Sequence, residues 1–263
     1  MELSISKEKL YRKSPKSYSL ADMVQKYETV SLGYPQWLAA KMILNGGEVA
    51  LQLDSFYDYF GTQIFRYLDS FKEVRVVGET KQSSLKLKVY LKNMLPNVQF
   101  PASLSFYTEE QAVDAVYAVA GRGTSEFNQS KLISDILYTL KDQGVFYLTF
   151  IVKDYDVAIH QLYKEFDSSY TVVATESIEF LESKLYLGNY FNSIEVSDFT
   201  STMAITNVDD LIAYILSDDK YDQLKVLIAQ NGLSKFRNFL IEKIQTDGSL
   251  LVERQIKLLT CYK

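Results

Sequence analysis

Between Glu48 and Phe166 the chain alternates repeatedly between a short apolar run and a stripe of apolar residues at helical spacing. Glu48–Leu53 alternates and ends apolar, Val74–Val77 stops at Gly78, Val113–Ala120 stops at Gly121, and Val145–Val152 is apolar or aromatic apart from Thr149. Behind these runs lie Phe60, Ile64, Phe65 and Leu68, then Leu87, Leu91, Met94 and Leu95, closed by Pro96. Leu132, Ile133, Ile136, Leu137 and Leu140 follow, with Gly144 placed as a stop, and then Ile159, Leu162, Tyr163 and Phe166. Spacings of three and four put each stripe on one helix face, and continuously apolar strands are those buried on both sides of a sheet. Parallel strands need a crossover, most often a helix, between them. The pattern predicts an α/β, Rossmann-like fold: a mostly parallel, seven-stranded sheet with helices on both faces.

The flanks predict helical additions. Tyr18, Met23, Val24 and Tyr27, then Gly33-Tyr34-Pro35-Gln36-Trp37-Leu38, form an aromatic N-terminal helical segment broken at Gly46-Gly47. After Tyr170 the rhythm changes: Tyr190–Ile205 reads as a long or bent strand. Val208, Leu211, Ile212, Ile215 and Leu216 form a helix behind Thr206-Asn207 as N-cap. Leu233, Phe236, Leu240 and Ile244 form another, ended by Gly248, and Leu250–Tyr262 is a last strand. The expected organisation is one domain, 1–263, with a helical cap over 1–46, a Rossmann-like core over 47–205, a helical insertion over 206–248 and the last strand over 249–263.

Composition narrows the function. With 263 residues, 47% hydrophobic and 23% charged, the chain reads as globular, not disordered. Its 20 Tyr and 15 Phe against one Trp suit crevices, but half-buried core positions are the commoner place for tyrosine. The net charge of -5 comes with no basic block. Lys86, Lys88 and Lys92 interleave with Leu87 and Leu91 as a solvated helix face, so no nucleic-acid partner is expected. A single Cys261 and a single His160 exclude an intrachain disulfide and a His/Cys metal cluster. Met1–Lys16 has no signal-peptide stretch, and Val145–Val152, the longest apolar run, is far short of the roughly 20 residues that span a bilayer. A cytoplasmic protein without a membrane partner is expected.

Several segments carry a resemblance in their order along the chain. Leu140-Lys141-Asp142-Gln143-Gly144-Val145-Phe146-Tyr147-Leu148-Thr149 resembles an "LKPGG-x-FY-x-T" turn into a fifth strand. Asp114-Ala115-Val116 resembles "FDAV", Leu104-Ser105-Phe106 resembles "LPF", and Gly33-Tyr34-Pro35-Gln36-Trp37 is similar to "GW-x-x-W". Ile205–Ser217 is similar to an insertion before the last strand. Together they resemble the class I S-adenosylmethionine-dependent methyltransferases of the small-molecule, bacterial type, from Gly33 to the end and most densely in the later half.

The resemblance implies a glycine loop for S-adenosylmethionine after the first strand, written "LELGCGTG". Here that stretch is Leu51-Gln52-Leu53-Asp54-Ser55-Phe56-Tyr57-Asp58, and Asp54, Phe56 and Asp58 fill the glycine positions. Glycines there supply backbone angles closed to other residues and let the main chain approach the ligand. A Phe56 side chain would stand where the methionine part of the cofactor lies. The two carboxylates would repel the cofactor's carboxylate and attract its ammonium and sulfonium, so the electrostatic sign is open and the steric loss is not. If Phe56 and Tyr57 instead begin the next helix, the ordinary site is lost as well.

The family-equivalent cofactor positions are Asp54, Ser55 and Phe56, then Glu79 for the ribose hydroxyls (Thr80 in the other register), and Gly121. Glu79 reads equally as an exposed strand-end residue, and Arg122 as an anion contact or a turn. No catalytic residue emerges. His160, beside Ile159, reads as a helix residue; Ser55 lacks the glycines of a nucleophile elbow; Asp209-Asp210 and Asp218-Asp219 suit helix ends. The expectation is a pseudoenzyme without cofactor or metal, acting by binding as a partner subunit or homodimer. The alternative is an active S-adenosylmethionine-dependent methyltransferase on a small molecule with an atypical cofactor loop.

Overall fold

The computed structural model describes residues 19–53, 64–68, 71–77, 98–99, 110–119, 130–172 and 178–263. These divide into two compact units, one drawn from 31–153, 175–200 and 254–263, the other from the N-terminus to Val30, 154–174 and 201–253.

The first unit holds the sheet. Its strands are β1 (Val49–Leu53), β2 (Glu73–Val77), β3 (Val98–Gln99), β4 (Val113–Val119), β5 (Leu140–Lys153), β6 (Ser193–Ile205) and β7 (Leu250–Tyr262), the last two continuing past the unit's bounds. The spatial order is β3-β2-β1-β4-β5-β7-β6. β1 pairs parallel with β2 and β4, β2 with β3 and β4 with β5, whereas β7 runs antiparallel to β5. The sheet is therefore mixed. Its helices are α1 (Leu20–Tyr27), α2 (Tyr34–Leu44), α3 (Ser130–Thr139), α4 (Tyr155–Phe166), α5 (Ile178–Leu187), α6 (Val208–Ser217), α7 (Asp222–Asn231) and α8 (Leu233–Asp247), of which α2, α3 and α5 belong to the sheet's unit.

Strand alternation sorts the sheet into two unlike faces. Leu51, Leu53, Val116, Ala118, Phe146, Leu148, Phe150, Leu259 and Cys261 form an apolar core with Ile133 and Ile136 of α3 and Phe180 and Leu187 of α5. The intervening residues are different. Gln52, Tyr117, Tyr147 and Thr260 stand in one register row across β1, β4, β5 and β7, all buried. α2 is tied to this second face through its C-cap: Asn45 Nδ2 donates to the Tyr147 hydroxyl at 2.7 Å. Tyrosine can fill a core and still bring a hydrogen-bonding group; here Tyr34, Tyr117 and Tyr147 are all almost wholly buried.

The turn into β5 corrects the expected helix limit. α3 ends at Thr139 and Leu140 already belongs to the strand, opposite Val113, with a register shift at Asp114. Gln143, not Gly144, takes the left-handed backbone, at φ 67°. Gly144 is needed for space: a Cβ there would stand 2.8 Å from the Lys141 carbonyl oxygen and 3.2 Å from that of Asp114.

The second unit is helical. α1 starts in a reciprocal cap, with Ser19 Oγ accepting from the Asp22 amide and the Asp22 carboxylate from the Ser19 amide. Asn207 caps α6 as its sequence suggested, accepting from the Asp209 amide at 2.9 Å. α5 and α7 are helices the sequence pattern did not reveal. α7 stops and α8 starts at one residue, Gly232, whose φ of 97° ordinary residues avoid. The apolar stripes of α6 and α8 are buried inside this unit: Leu211, Tyr214 and Ile215, with Phe236 and Leu240, are almost inaccessible.

Candidate functional site

In open α/β sheets, ligands sit beyond the carboxyl ends of the strands. Asp54, Ser55, Phe56, Glu79 and Gly121, along with Thr80 and Arg122, lie outside the described residues. What the structure describes at that end is the row of strand residues at the ends of β1 and β4.

Its central pair is Gln52 and Tyr117, at facing positions near the ends of β1 and β4. The Tyr117 hydroxyl donates to Gln52 Oε1 at 2.6 Å, and both side chains are fully buried. Among the described residues Gln52 Nε2 has no hydrogen-bond partner, and burying an unpaired amide donor costs about 1–3 kcal/mol. Burial, with Tyr34 alongside, pushes the Tyr117 phenol well above the usual range. Tyr147 is pushed up to about 12, mainly by burial and against the bond from Asn45. Burial also raises the Cys261 thiol to about 12. At neutral pH these groups stay protonated, so they are donors, neither bases nor nucleophiles.

Gln36 of α2 links its own helix start to the 3-10 turn Ile64–Tyr67. Gln36 Oε1 accepts from the Gly33 amide at 2.9 Å, and Nε2 donates to the Tyr67 hydroxyl at 3.0 Å. Tyr34, Trp37 and Phe199 close an aromatic triangle with centroid separations of 5.2–6.2 Å. The "GW-x-x-W"-like segment thus packs as a wall against β6.

Asp114, the acid of the "FDAV"-like run, serves the strand's other end. Its carboxylate accepts from the amides of Glu48 and Val49 at 2.9 and 2.8 Å and from Lys141 at 2.9 Å. Burial works against the charged form, but these bonds outweigh it and hold the carboxyl below its usual range. It anchors the start of β1.

His160 lies in the helical unit, half-buried on α4. Its Nδ1 is 2.7 Å from the Tyr170 hydroxyl, and its ring stacks on Tyr170. Burial lowers its pKa, with Asp156 opposing and Lys220 adding to the shift. Asp210, expected at a helix end, is also buried: it accepts from Lys26 and Tyr27 of α1. Among the described residues, no group of three His, Cys, Asp or Glu side chains is placed to hold a metal ion, and no helix is long and apolar enough to cross a membrane.

The residue that sequence reading passed over is Gln52. The signal was present: the "LELG" pattern carries a carboxylate where this chain has an amide. With its carbonyl taken by Tyr117, Gln52 is left offering an N–H donor, which suits an acceptor and not an ammonium or sulfonium.

No family profile and no curated protein matches the chain. Solved structures do. Precorrin-6y C5,15-methyltransferase of Geobacter metallireducens shares 12% identity over 91% of this chain and 95% of its own, with a TM-score of 0.46. The YcgJ protein of Bacillus subtilis shares 12% over 86% and 97%, at 0.46. Haemonchus contortus phosphoethanolamine N-methyltransferase 2, in complex with S-adenosyl-L-methionine, shares 17% over 88% of this chain and 53% of its own, at 0.43. These likenesses are slight, and the fold assignment stands on the strand order. The run β3-β2-β1-β4-β5 is the Rossmann order, with the antiparallel β7 set between β5 and β6, and the fold is Rossmann-like.

Proposed function

We propose that this is a methyltransferase-fold protein that does not hold S-adenosylmethionine in the ordinary way and acts by binding, as a partner subunit or a homodimer. Gln52 carries the reading. A carboxylate at the end of the first strand would answer the positive charge of the cofactor; a neutral amide whose carbonyl is already occupied does not. The loop that follows adds bulk and acid at Asp54, Phe56 and Asp58, where the resemblance asks for glycine. The Tyr117 and Tyr147 phenols in the same register row as Gln52 stay protonated and supply no base.

Calorimetric titration with S-adenosylmethionine and S-adenosylhomocysteine tests the reading. The expected result is no binding tighter than about 100 μM, or roughly -5.5 kcal/mol. A tighter saturable isotherm with either compound overturns it in favour of an active enzyme. Light scattering in solution distinguishes a homodimer from a monomer awaiting a different partner.

A further inference from the structure

In the helical unit the Lys220 ammonium is enclosed by the chemistry that recognises an organic cation. It lies 2.7 Å from Asp156 and 3.5 Å from Asp218, with only 20% of its side chain exposed. It also sits 5.3 Å from the ring centre of Tyr214 and 5.0 Å from that of Tyr221, within the range at which an aromatic face attracts a cation. The two rings meet edge to face at 5.6 Å, and both are fully buried. The Tyr221 hydroxyl donates to Asp156 at 2.6 Å, which fixes the carboxylate. The buried Tyr214 hydroxyl faces the same enclosure and interacts with both Lys220 and Tyr221.

We propose that Asp156, Tyr214 and Tyr221 form a binding site for a primary alkylammonium, filled in the resting protein by the Lys220 side chain. Lys220 is carried on the short 3-10 turn Asp219–Tyr221, between Asp218 and the anchored Tyr221. Moving one side chain therefore opens the site without moving a helix. The enclosure has the negative charge of Asp156 and two aromatic faces, and the lysine arm that occupies it carries its ammonium on a four-carbon stem. A carboxylate or phosphate ligand would meet Asp156 and be repelled. This site is independent of the strand ends and of any reading of the cofactor loop.

The single histidine provides the readout, because His160 lies 5.9 Å from the Tyr221 ring and responds to both Asp156 and Lys220. The probe is n-propylammonium chloride, titrated at constant ionic strength against sodium chloride, with the His160 ring resonance followed by NMR. In the wild-type protein a saturable shift is expected with a midpoint on the order of 10 mM. In Lys220→Ala the His160 pKa should rise on loss of the neighbouring cation, and propylammonium should lower it again at several-fold lower concentration. Asp156→Asn should abolish both responses while the circular dichroism is kept. Responses equal to those of sodium chloride overturn the proposal, as does binding by Lys220→Ala alone, which would make Lys220 a permanent structural ion pair. If Lys220→Ala does not fold, the wild-type titration decides.

Discussion

A β-carbon on Gly47 would stand 2.8 Å from the β-carbon of Asp114, so the two residues meet with no room for a side chain between them. The backbone of Gly47, at φ 130°, is also closed to other residues. The contact lets Asp114 reach the Glu48 and Val49 amides and sets where β1 begins. Gly47→Ala should therefore cost about 2–4 kcal/mol, combining backbone strain with displacement of Asp114. Gly46→Ala, in open space at φ 74°, should cost about 1 kcal/mol. Urea denaturation of both variants checks the order, and equal costs would count against the contact.

Asp114 predicts an acid limb of stability. Its folded pKa is below the value of 3.8 it has when free, so its stabilisation is present above that value and is lost as pH falls through the folded pKa. Asp114→Asn should lower stability at pH 7 by about 1–3 kcal/mol and flatten the loss on acidification. Stability curves for both proteins between pH 7 and about pH 2 are the measurement. Parallel curves would show that the carboxylate is not the titrating group.

The Gln52–Tyr117 bond predicts non-additive mutations. Tyr117→Phe removes the donor and leaves Gln52 Oε1 buried and unpaired, at a cost of about 1–3 kcal/mol. Adding Gln52→Leu removes the stranded amide, including its unpaired Nε2, and should recover part of that loss. A double-mutant cycle in urea measures the coupling; strict additivity would mean that the bond does not form in solution.

His160 predicts a loss of stability of the same sign as that of Asp114, at a higher pH. Its folded pKa is depressed below 6.5, chiefly by burial, so the unfolded chain takes up the proton first. Stability should fall as pH drops from about 6.5 to the folded pKa and then level off. The lone histidine resonance gives the folded value directly, and a result above 6.5 would contradict the burial argument. His160→Phe should remove this segment of the pH profile.

Much of the architecture was legible because local physics is strong where it acts. Gly46-Gly47 mark a real break, at φ 74° and 130°, and the apolar stripe of Ile133 and Ile136 does lie on a helix. The helix limit at Leu140 was misread because Leu140 satisfies both patterns, and only its pairing with Val113 settles which applies. α5 and α7 escaped notice because their apolar residues are spread around the helix: Leu181 and Leu185 of α5 and Val226 of α7 face solvent. Asp210 read as a helix-end acid because nothing near it in sequence announces Lys26 and Tyr27, which reach it across more than 180 residues.

The sequence by itself determined the apolar runs within the strands Val49–Leu53, Val113–Val119 and Leu140–Lys153, the side chains at Asp54, Phe56 and Asp58 where the resemblance asks for glycine, and the presence of one histidine and one cysteine. These depend on residue type and spacing, which a linear chain displays in full. The helix expected over Leu87–Leu95 lies outside the described residues. Only the tertiary structure decided which tyrosines are core and which are partners. It set Tyr117 against Gln52 across parallel strands, and closed Tyr214 and Tyr221 around Lys220. A hydrogen bond or a cation–aromatic contact needs two groups at a few ångströms, and distance in space is not written in distance along the chain.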